Sequence, residues 1–180
     1  MDSVAGQPLS IVPCRSGRPG LGTYPVYVHV RLVREEGPCY REVVTPENSG
    51  ALAASLLADS PREVFLVLCL DGSHRVNAVH QVSLGTIDSC PAGAREVFQA
   101  AILANAAAVI LAHNHPSGDP TPSTQDVLLS TALCDAGCIL GIPVLDHVVV
   151  GEGRWIRMRD LPSARCCQWA GETALGGRPA

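Results

Sequence analysis

The stretch AAVILAHNHPSGDPTPSTQD, residues 107–126, carries the strongest structural signal in this chain, because three local patterns meet in it. Residues 107–112 form a short, continuous apolar run, which predicts a strand buried on both faces. A polar loop rich in proline follows, and residues 123–136 then have the pattern of a helix. The stretch therefore predicts a buried strand, a loop and a helix in direct succession.

The segments on either side of this stretch alternate between strand and helix patterns. Strands are predicted where apolar residues alternate or run continuously between turn residues, and helices where they recur on one helical face. The predicted strands are 24–33, 63–70, 75–84 and 143–150, with 154–157 as a short partner, and the further helices are 45–57 and 94–104. This order predicts an α/β fold in which a mixed sheet is flanked by helices.

The ends of the chain differ in composition from its middle. Residues 1–23 are rich in Gly, Pro and Ser without periodicity, and residues 162–180 are small, polar and Gly-rich. We expect a flexible segment at each end and a single domain over residues 24–161, since a chain of 180 residues holds one core but hardly two.

The composition predicts a packed, soluble protein. Hydrophobic residues make up 47% of the chain, and the net charge of −4 argues against broad, non-specific attachment to nucleic acid. Residues 1–22 lack the pattern of a signal peptide, and no apolar run approaches the roughly 20 residues of a membrane span. The eight cysteines show no C-x-x-C spacing, and Cys134 and Cys138 are expected to be buried thiols on one helix. These features predict a cytoplasmic protein with no membrane association.

His113 and His115 flank one residue at the end of the predicted strand, so their side chains point to the same side. Both imidazoles can therefore reach one metal ion, and the loop before Asp126 is long enough to fold that carboxylate back as a third ligand. Three protein ligands leave a fourth tetrahedral position for water, as in catalytic zinc sites. The pattern favours one catalytic zinc, which lowers the pKa of a bound water to about 7.

Each part of this constellation also has an ordinary structural interpretation. An H-x-H pair is common in proteins, and Ser123-x-x-Asp126 is also a capping box for the following helix. The two interpretations of Asp126 are compatible, because a capped helix start would hold its side chain still. The combination of buried strand, H-x-H-P, a Gly/Pro loop and S-x-x-D favours the metal site.

The combination resembles the JAMM motif of the JAB/MPN metalloprotease superfamily, E…H-x-H-x7-S-x2-D, with His113, His115, Ser123 and Asp126 at the required spacing. The wording H-N-H-P-S-G-D-P-x-P-S-x-x-D is similar to the RadC-like branch in particular. Two flanking segments, AGAREVF and GIPVLDH, look like that branch too, and the resemblance covers roughly residues 24–161.

The resemblance implies a single JAB/MPN domain with the cytidine-deaminase-like α/β fold and one zinc ion per chain, bound by His113, His115 and Asp126. It also implies hydrolysis of peptide or isopeptide bonds in a peptide or protein substrate. The motif's upstream glutamate has two candidates. Glu63 precedes a strand hairpin, as the motif glutamate does, whereas Glu96 lies in a predicted helix. We therefore expect Glu63 to be the acid/base, with a pKa raised by burial at the mouth of an apolar strand.

In the mechanism that the resemblance implies, Glu63 takes a proton from the zinc-activated water and returns it to the leaving amine. Ser123 either stabilises the oxyanion with its hydroxyl or serves only as the helix cap. His147 lies within a predicted strand and is interpreted as a hydrogen-bonded structural residue rather than a ligand.

Typical RadC proteins carry an N-terminal helix-hairpin-helix region for DNA, whereas residues 1–23 are too short and too loose for one. Direct DNA binding and the oligomeric state stay open. Two hypotheses follow. The favoured one is a zinc-dependent hydrolase of JAMM type, because all motif positions are filled; the motif does not name its substrate. The alternative is a non-catalytic RadC-like module in DNA repair or mobile-element maintenance.

Overall fold

A computed structural model of the chain describes residues 44–57, 60–84 and 93–161. The predicted strand 24–33 and both predicted flexible end segments lie outside the described residues. Within them the chain forms α1 (Ser49–Leu57), β1 (Val64–Leu70), β2 (Val76–Leu84), α2 (Ala94–Leu103), β3 (Ala108–Asn114), α3 (Thr124–Leu140), β4 (Val144–Val150), β5 (Trp155–Arg157) and a 3-10 turn (Met158–Asp160).

The five strands of the described ranges form one mixed sheet in the order β2–β1–β3–β4–β5. β3 and β4 are parallel, with α3 as the crossover between them, and the other neighbours are antiparallel. α1 packs on one face of the sheet, and α2 and α3 pack on the other. The predicted α/β fold, a mixed sheet flanked by helices, is confirmed.

β1 and β3 are buried along their whole length. Leu66 and Leu68 pack towards α1, whereas Phe65 and Val67 pack towards α2 and α3. Strands covered on both faces need continuous apolar runs, because neither face meets water. The same alternation along β3 directs His113 to the face that α2 and α3 cover.

β4 departs from regular alternation near its start. Val144 packs towards α2 and α3 and Leu145 towards α1, but the register with β3 passes over Leu145. This extra residue re-aims the residues that follow it. Asp146 therefore faces α1, where the Ser49 hydroxyl donates to its carboxylate, and His147 faces the opposite side of the sheet.

α3 begins after the N-cap Ser123 and ends where Gly141 adopts a left-handed φ of 69°. The predicted end at Ala136 was four residues too early, because Gly137 does not interrupt the helix. A side chain at Gly137 would overlap the Ile142 carbonyl, so glycine at this position permits close packing.

Of the described cysteines, Cys69 and Cys134 are buried thiols. Cys138 is exposed, so the prediction of two buried thiols on α3 was wrong for this residue. The last three residues of α3 are all exposed, because the core does not cover the final turn of the helix. Burial raises the pKa of the Cys69 thiol to about 11. None of the described helices is long and apolar enough to span a membrane.

Candidate metal centre

The end of β3 places two histidines on the same face. His113 is almost fully buried, and His115 follows the strand and is partly exposed. The backbone N–H of His115 donates to the Val150 carbonyl on β4 over 2.8 Å, which continues the strand pairing past the end of β3. The Nε2 atoms of the two imidazoles lie 3.1 Å apart, so the structure brings together the two histidines of the H-x-H pair.

Asp126 lies in the first turn of α3, where a capping box orients its carboxylate. The Ser123 backbone N–H and hydroxyl both donate to Asp126 Oδ2, over 2.6 and 2.7 Å, and the Asp126 N–H donates to Ser123 Oγ over 3.2 Å. Burial acts to raise the pKa of Asp126, but hydrogen bonds from the two histidines and from Ser123 together hold it well below its usual range. The carboxylate is therefore ionised.

His113, His115 and Asp126 together have the spacing of metal ligands. His113 Nε2 lies 3.3 Å from Asp126 Oδ1, and His115 Nε2 lies 3.5 Å from Asp126 Oδ2. Ligand atoms at about 2.0–2.1 Å from a tetrahedral zinc ion are about 3.3–3.4 Å from one another. Two imidazoles and a carboxylate are also donors that zinc prefers. The triad therefore fits such an ion, and within the described ranges it is the cluster of His, Cys, Asp and Glu side chains close enough to hold one.

The hydrogen bond made by the second ring nitrogen of His115 leaves its Nε2 lone pair available to a metal. The Nδ1–H of that ring donates to the Asp119 carbonyl in the following loop, over 2.8 Å. A hydrogen bond from Nε2 to the Asp126 carboxylate is the main cause that raises the pKa of His115, with burial opposing, so a metal bound at Nε2 would take the place of a proton. The loop between the ligands thus helps to orient one of them.

Glu63 lies immediately before β1 and beside the triad. Phe65 pairs with His113 across the sheet, and extension of this antiparallel register by two residues puts Glu63 opposite His115. Burial raises the pKa of the Glu63 carboxyl, the two histidines act to lower it, and the Asp126 charge acts to raise it further. Glu63 is therefore close enough to the triad for these charges to act on it.

The part of the chain that contains this arrangement matches a known protein family. The profile of the RadC-like JAB domain family matches residues 43–162, the span that contains the triad and Glu63. The chain belongs to the RadC-like JAB domain family. Its fold is accordingly related to that of the JAMM superfamily, some of whose members are metallopeptidases.

Several curated relatives named UPF0758 protein are similar over the same span. Those from Methanosarcina barkeri and Desulforudis audaxviator are 38% identical over 120 residues and 45% identical over 117 residues, which is 67% and 65% of this chain. The relative from Pelobacter propionicus is 50% identical over 100 residues, 56% of this chain. The matched part is 52%, 51% and 44% of these relatives, so the chain spans about half the length of the curated relatives it matches.

In this RadC-like domain, Ser123 and the competing glutamate Glu96 both lie at the start of a helix. Ser123 is the N-cap of α3, and its hydroxyl donates to Asp126 rather than into open space. Glu96, the competing glutamate, lies in the first turn of α2 with its carboxylate against Gly93, the N-cap of that helix. A carboxylate at this position stabilises a helix N-terminus, which is a structural role.

Sequence reasoning missed the role of Asn114, the residue between the two histidines. Its side chain points to the other face, where Oδ1 accepts from the Val64 N–H over 2.9 Å and Nδ2 donates to the Arg62 carbonyl over 3.0 Å. These bonds fix the segment that carries Glu63 against the end of β3. Alternation within H-N-H predicts the direction of this side chain but not its partners, which are about fifty residues away.

His147 lies behind His113 and outside the ligand triad. Its Nε2 is 2.9 Å from His113 Nδ1, and its ring is fully buried. Phe65 contacts both imidazoles: it stacks parallel to His113 at a ring separation of 5.9 Å and meets His147 edge-on at 5.5 Å. The structure thus gives His147 a hydrogen bond to a candidate ligand.

An open cavity of about 210 Å³ is lined in part by His115 and by the first residues of the loop between the ligands. Its wall includes Asn114, His115, the loop at 116–118 and the β4–β5 turn at 150–152. A side chain at Gly151 would overlap the Gly118 carbonyl and Pro120, so glycine there lets the loop pack on the turn. The cavity is therefore bordered by the end of β3 and the start of the loop that follows, and His113, Asp126 and Glu63 are not among its lining residues.

Proposed function

We propose that this chain is a zinc-dependent hydrolase of JAMM type, in which His113, His115 and Asp126 hold one zinc ion. The spacing of the three donor atoms, 3.1 to 3.5 Å, carries the proposal because it suits a tetrahedral ion with one position left over. Zinc held in this way supplies Lewis acidity and lowers the pKa of a bound water to about 7.

Glu63 is the acid/base in this proposal. Its position opposite His115 puts a carboxyl beside the triad without making it a ligand. Burial raises the pKa of the carboxyl, so the carboxylate is a stronger base towards the attacking water, and the acid formed can return the proton to the leaving amine. Asn114 holds the Glu63 segment in place through two hydrogen bonds.

The proposed substrate is a peptide or protein whose amide or isopeptide carbonyl reaches the triad. Ser123 is the motif candidate for stabilising the oxyanion, but its hydroxyl donates to Asp126 Oδ2 over 2.7 Å. An oxyanion role would require this hydroxyl to turn away from Asp126. The capping role needs no such movement, so we assign Ser123 first to orienting Asp126.

A screen for peptidase and isopeptidase activity, with Glu63→Gln as the decisive variant, tests this function. The variant removes a proton acceptor and leaves the three ligands untouched, so it should bind zinc like the parent and lose a factor of about 100 or more in activity. Glu96→Gln is the matched control and should leave activity near that of the parent.

Three results would contradict the proposal. A parent that binds zinc but hydrolyses no substrate of the screen favours the alternative, a non-catalytic RadC-like module in DNA repair or mobile-element maintenance. An essential Glu96 with a dispensable Glu63 would show that the acid/base is assigned to the wrong element. Loss of zinc from Glu63→Gln would show that Glu63 is itself a ligand.

A further inference from the structure

The imidazole of His147 lies behind His113, and its role as inferred here rests on the proposed metal centre. A histidine that binds a metal through Nε2 carries its proton on Nδ1, and this N–H needs an acceptor that holds the ring in orientation. In metal sites this acceptor is usually a carboxylate, a backbone carbonyl or water. Here the atom within reach of His113 Nδ1 is Nε2 of His147, at 2.9 Å.

The bulge in β4 creates this contact. Strict alternation from Val144 would direct Asp146 towards α2 and α3 and turn His147 away, but the register passes over Leu145 and exchanges the two. His147 is fully buried, and a charged ring there would lose its hydration, so the ring is neutral. A neutral imidazole accepts at one nitrogen only.

The other ring nitrogen of His147, Nδ1, lacks a hydrogen bond among the described residues in this arrangement. If Nε2 accepts from His113, the proton of the neutral ring must be on Nδ1. That atom is buried and has no hydrogen-bond partner among the described residues. Buried N–H groups without a partner are rare, because they lose hydration and gain nothing in return. An apolar ring of the same size would avoid this loss.

We propose that His147 is a positioning residue for the metal centre: it accepts the Nδ1–H of His113 and holds His113 Nε2 towards His115 and Asp126, at the expense of a buried N–H that has no partner among the described residues. Phe65 supports both rings from β1. If His147 only packed in the core, its substitution would lower zinc affinity and the stability of the metal-free chain together. A positioning role predicts that zinc affinity falls while this stability does not.

Three substitutions at His147 test this separation in the full chain, with Zn²⁺ affinity measured by competition with a chromophoric chelator. His147→Phe keeps a ring and removes the acceptor, so zinc should bind about 10- to 100-fold more weakly. Urea unfolding of the metal-free variant should show stability equal to the parent or higher. His147→Gln carries an amide at the place of Nε2 and should regain most of the affinity, whereas His147→Asn carries it at the place of Nδ1 and should not.

The slowly exchanging Nδ1–H proton of His113, observed by NMR of the zinc-loaded chain, gives a second readout. It should be present in the parent and in His147→Gln and lost from His147→Phe. The proposal is overturned if His147→Phe binds zinc as tightly as the parent, or if His147→Gln and His147→Asn bind it equally. The Gln and Asn pair still decides the matter if the Phe variant does not fold. A parent without zinc affinity would instead overturn the proposed metal centre itself.

Discussion

Asp146 and His147 are neighbours on β4, both fully buried, and they point to opposite faces of the sheet. On the α1 face the Asp146 carboxylate accepts from the Ser49 hydroxyl over 3.1 Å and from the His147 backbone N–H over 2.8 Å, so both oxygens are paired within the core. On the other face one nitrogen of His147 contacts His113 and the second has no partner among the described residues. The comparison separates a polar group that is paired between a helix and the sheet from one that contacts a candidate metal ligand.

The largest effects are expected where apolar residues are removed from each face. Phe65→Ala should reduce the free energy of unfolding by about 3–5 kcal/mol and Leu68→Ala by about 2–5 kcal/mol, because both side chains are buried in a close-packed core. Phe65 also contacts both buried imidazoles, so its loss should lower zinc affinity as well. Leu68 packs towards α1, so its loss should leave the affinity of the folded chain unchanged. Denaturant titration and zinc competition measure the two properties.

Equal loss of zinc affinity in both variants would contradict this expectation, since it would show that residues on the α1 face also affect the metal centre on the other face. The affinity is measured at a temperature at which circular dichroism shows that both variants are folded.

A smaller effect is expected from Ser49→Ala on the α1 face. The substitution removes the donor to Asp146 Oδ2 and leaves a buried carboxylate oxygen unpaired, so unfolding should become easier by about 1–3 kcal/mol. Ser55→Ala is the control on the same helix: this serine is exposed, and its loss should change stability by no more than about 0.5 kcal/mol. Equal effects from the two serines would mean that the Ser49–Asp146 bond does not hold α1.

The smallest effect is expected from Asp146→Asn, and it depends on pH. Burial is the main cause that raises the pKa of Asp146 above its ordinary value of 3.8. The folded chain therefore binds this proton more tightly than the unfolded chain, and stability declines as the pH rises from 3.8 through the raised pKa. The variant lacks this decline. Its amide fits, because it donates to Ser49 Oγ while the Ser49 hydroxyl donates to the Pro46 carbonyl, already 3.2 Å away.

Urea unfolding of the parent and of Asp146→Asn at several pH values between about 4 and 7 measures this difference. The stability of the variant relative to the parent should increase with pH and end within about 1 kcal/mol of the parent, or above it. A relative stability that falls with rising pH would show that Asp146 is stabilised as the anion.

The strands of the described residues and the proximity of His113, His115 and Asp126 could be predicted from the sequence, because both depend on local pattern. β1 and β3 are apolar without interruption, and such runs can be buried only between two helical layers. The H-x-H pair takes its common direction from the alternation of a strand, and S-x-x-D takes its geometry from the first turn of a helix. These constraints act over a few residues.

Long-range features could not be predicted in the same way. The contact between His113 and His147 depends on a register shift in β4, and strict alternation would put His147 on the wrong face. The exposure of Cys138 depends on where the core ends beneath α3, a property of the packed domain rather than of the helix. Both features arise from contacts between segments that are distant in sequence.

Zinc content per chain, measured by elemental analysis of the protein purified without chelator, tests the central claim most directly. The proposed metal centre on the α2 and α3 face predicts close to one zinc per chain in the parent and loss of most of it in His113→Ala and Asp126→Ala. Asp146→Asn, on the opposite face, should keep the full complement. A parent without zinc, or a full complement in both ligand variants, would contradict the assignment of the three ligands.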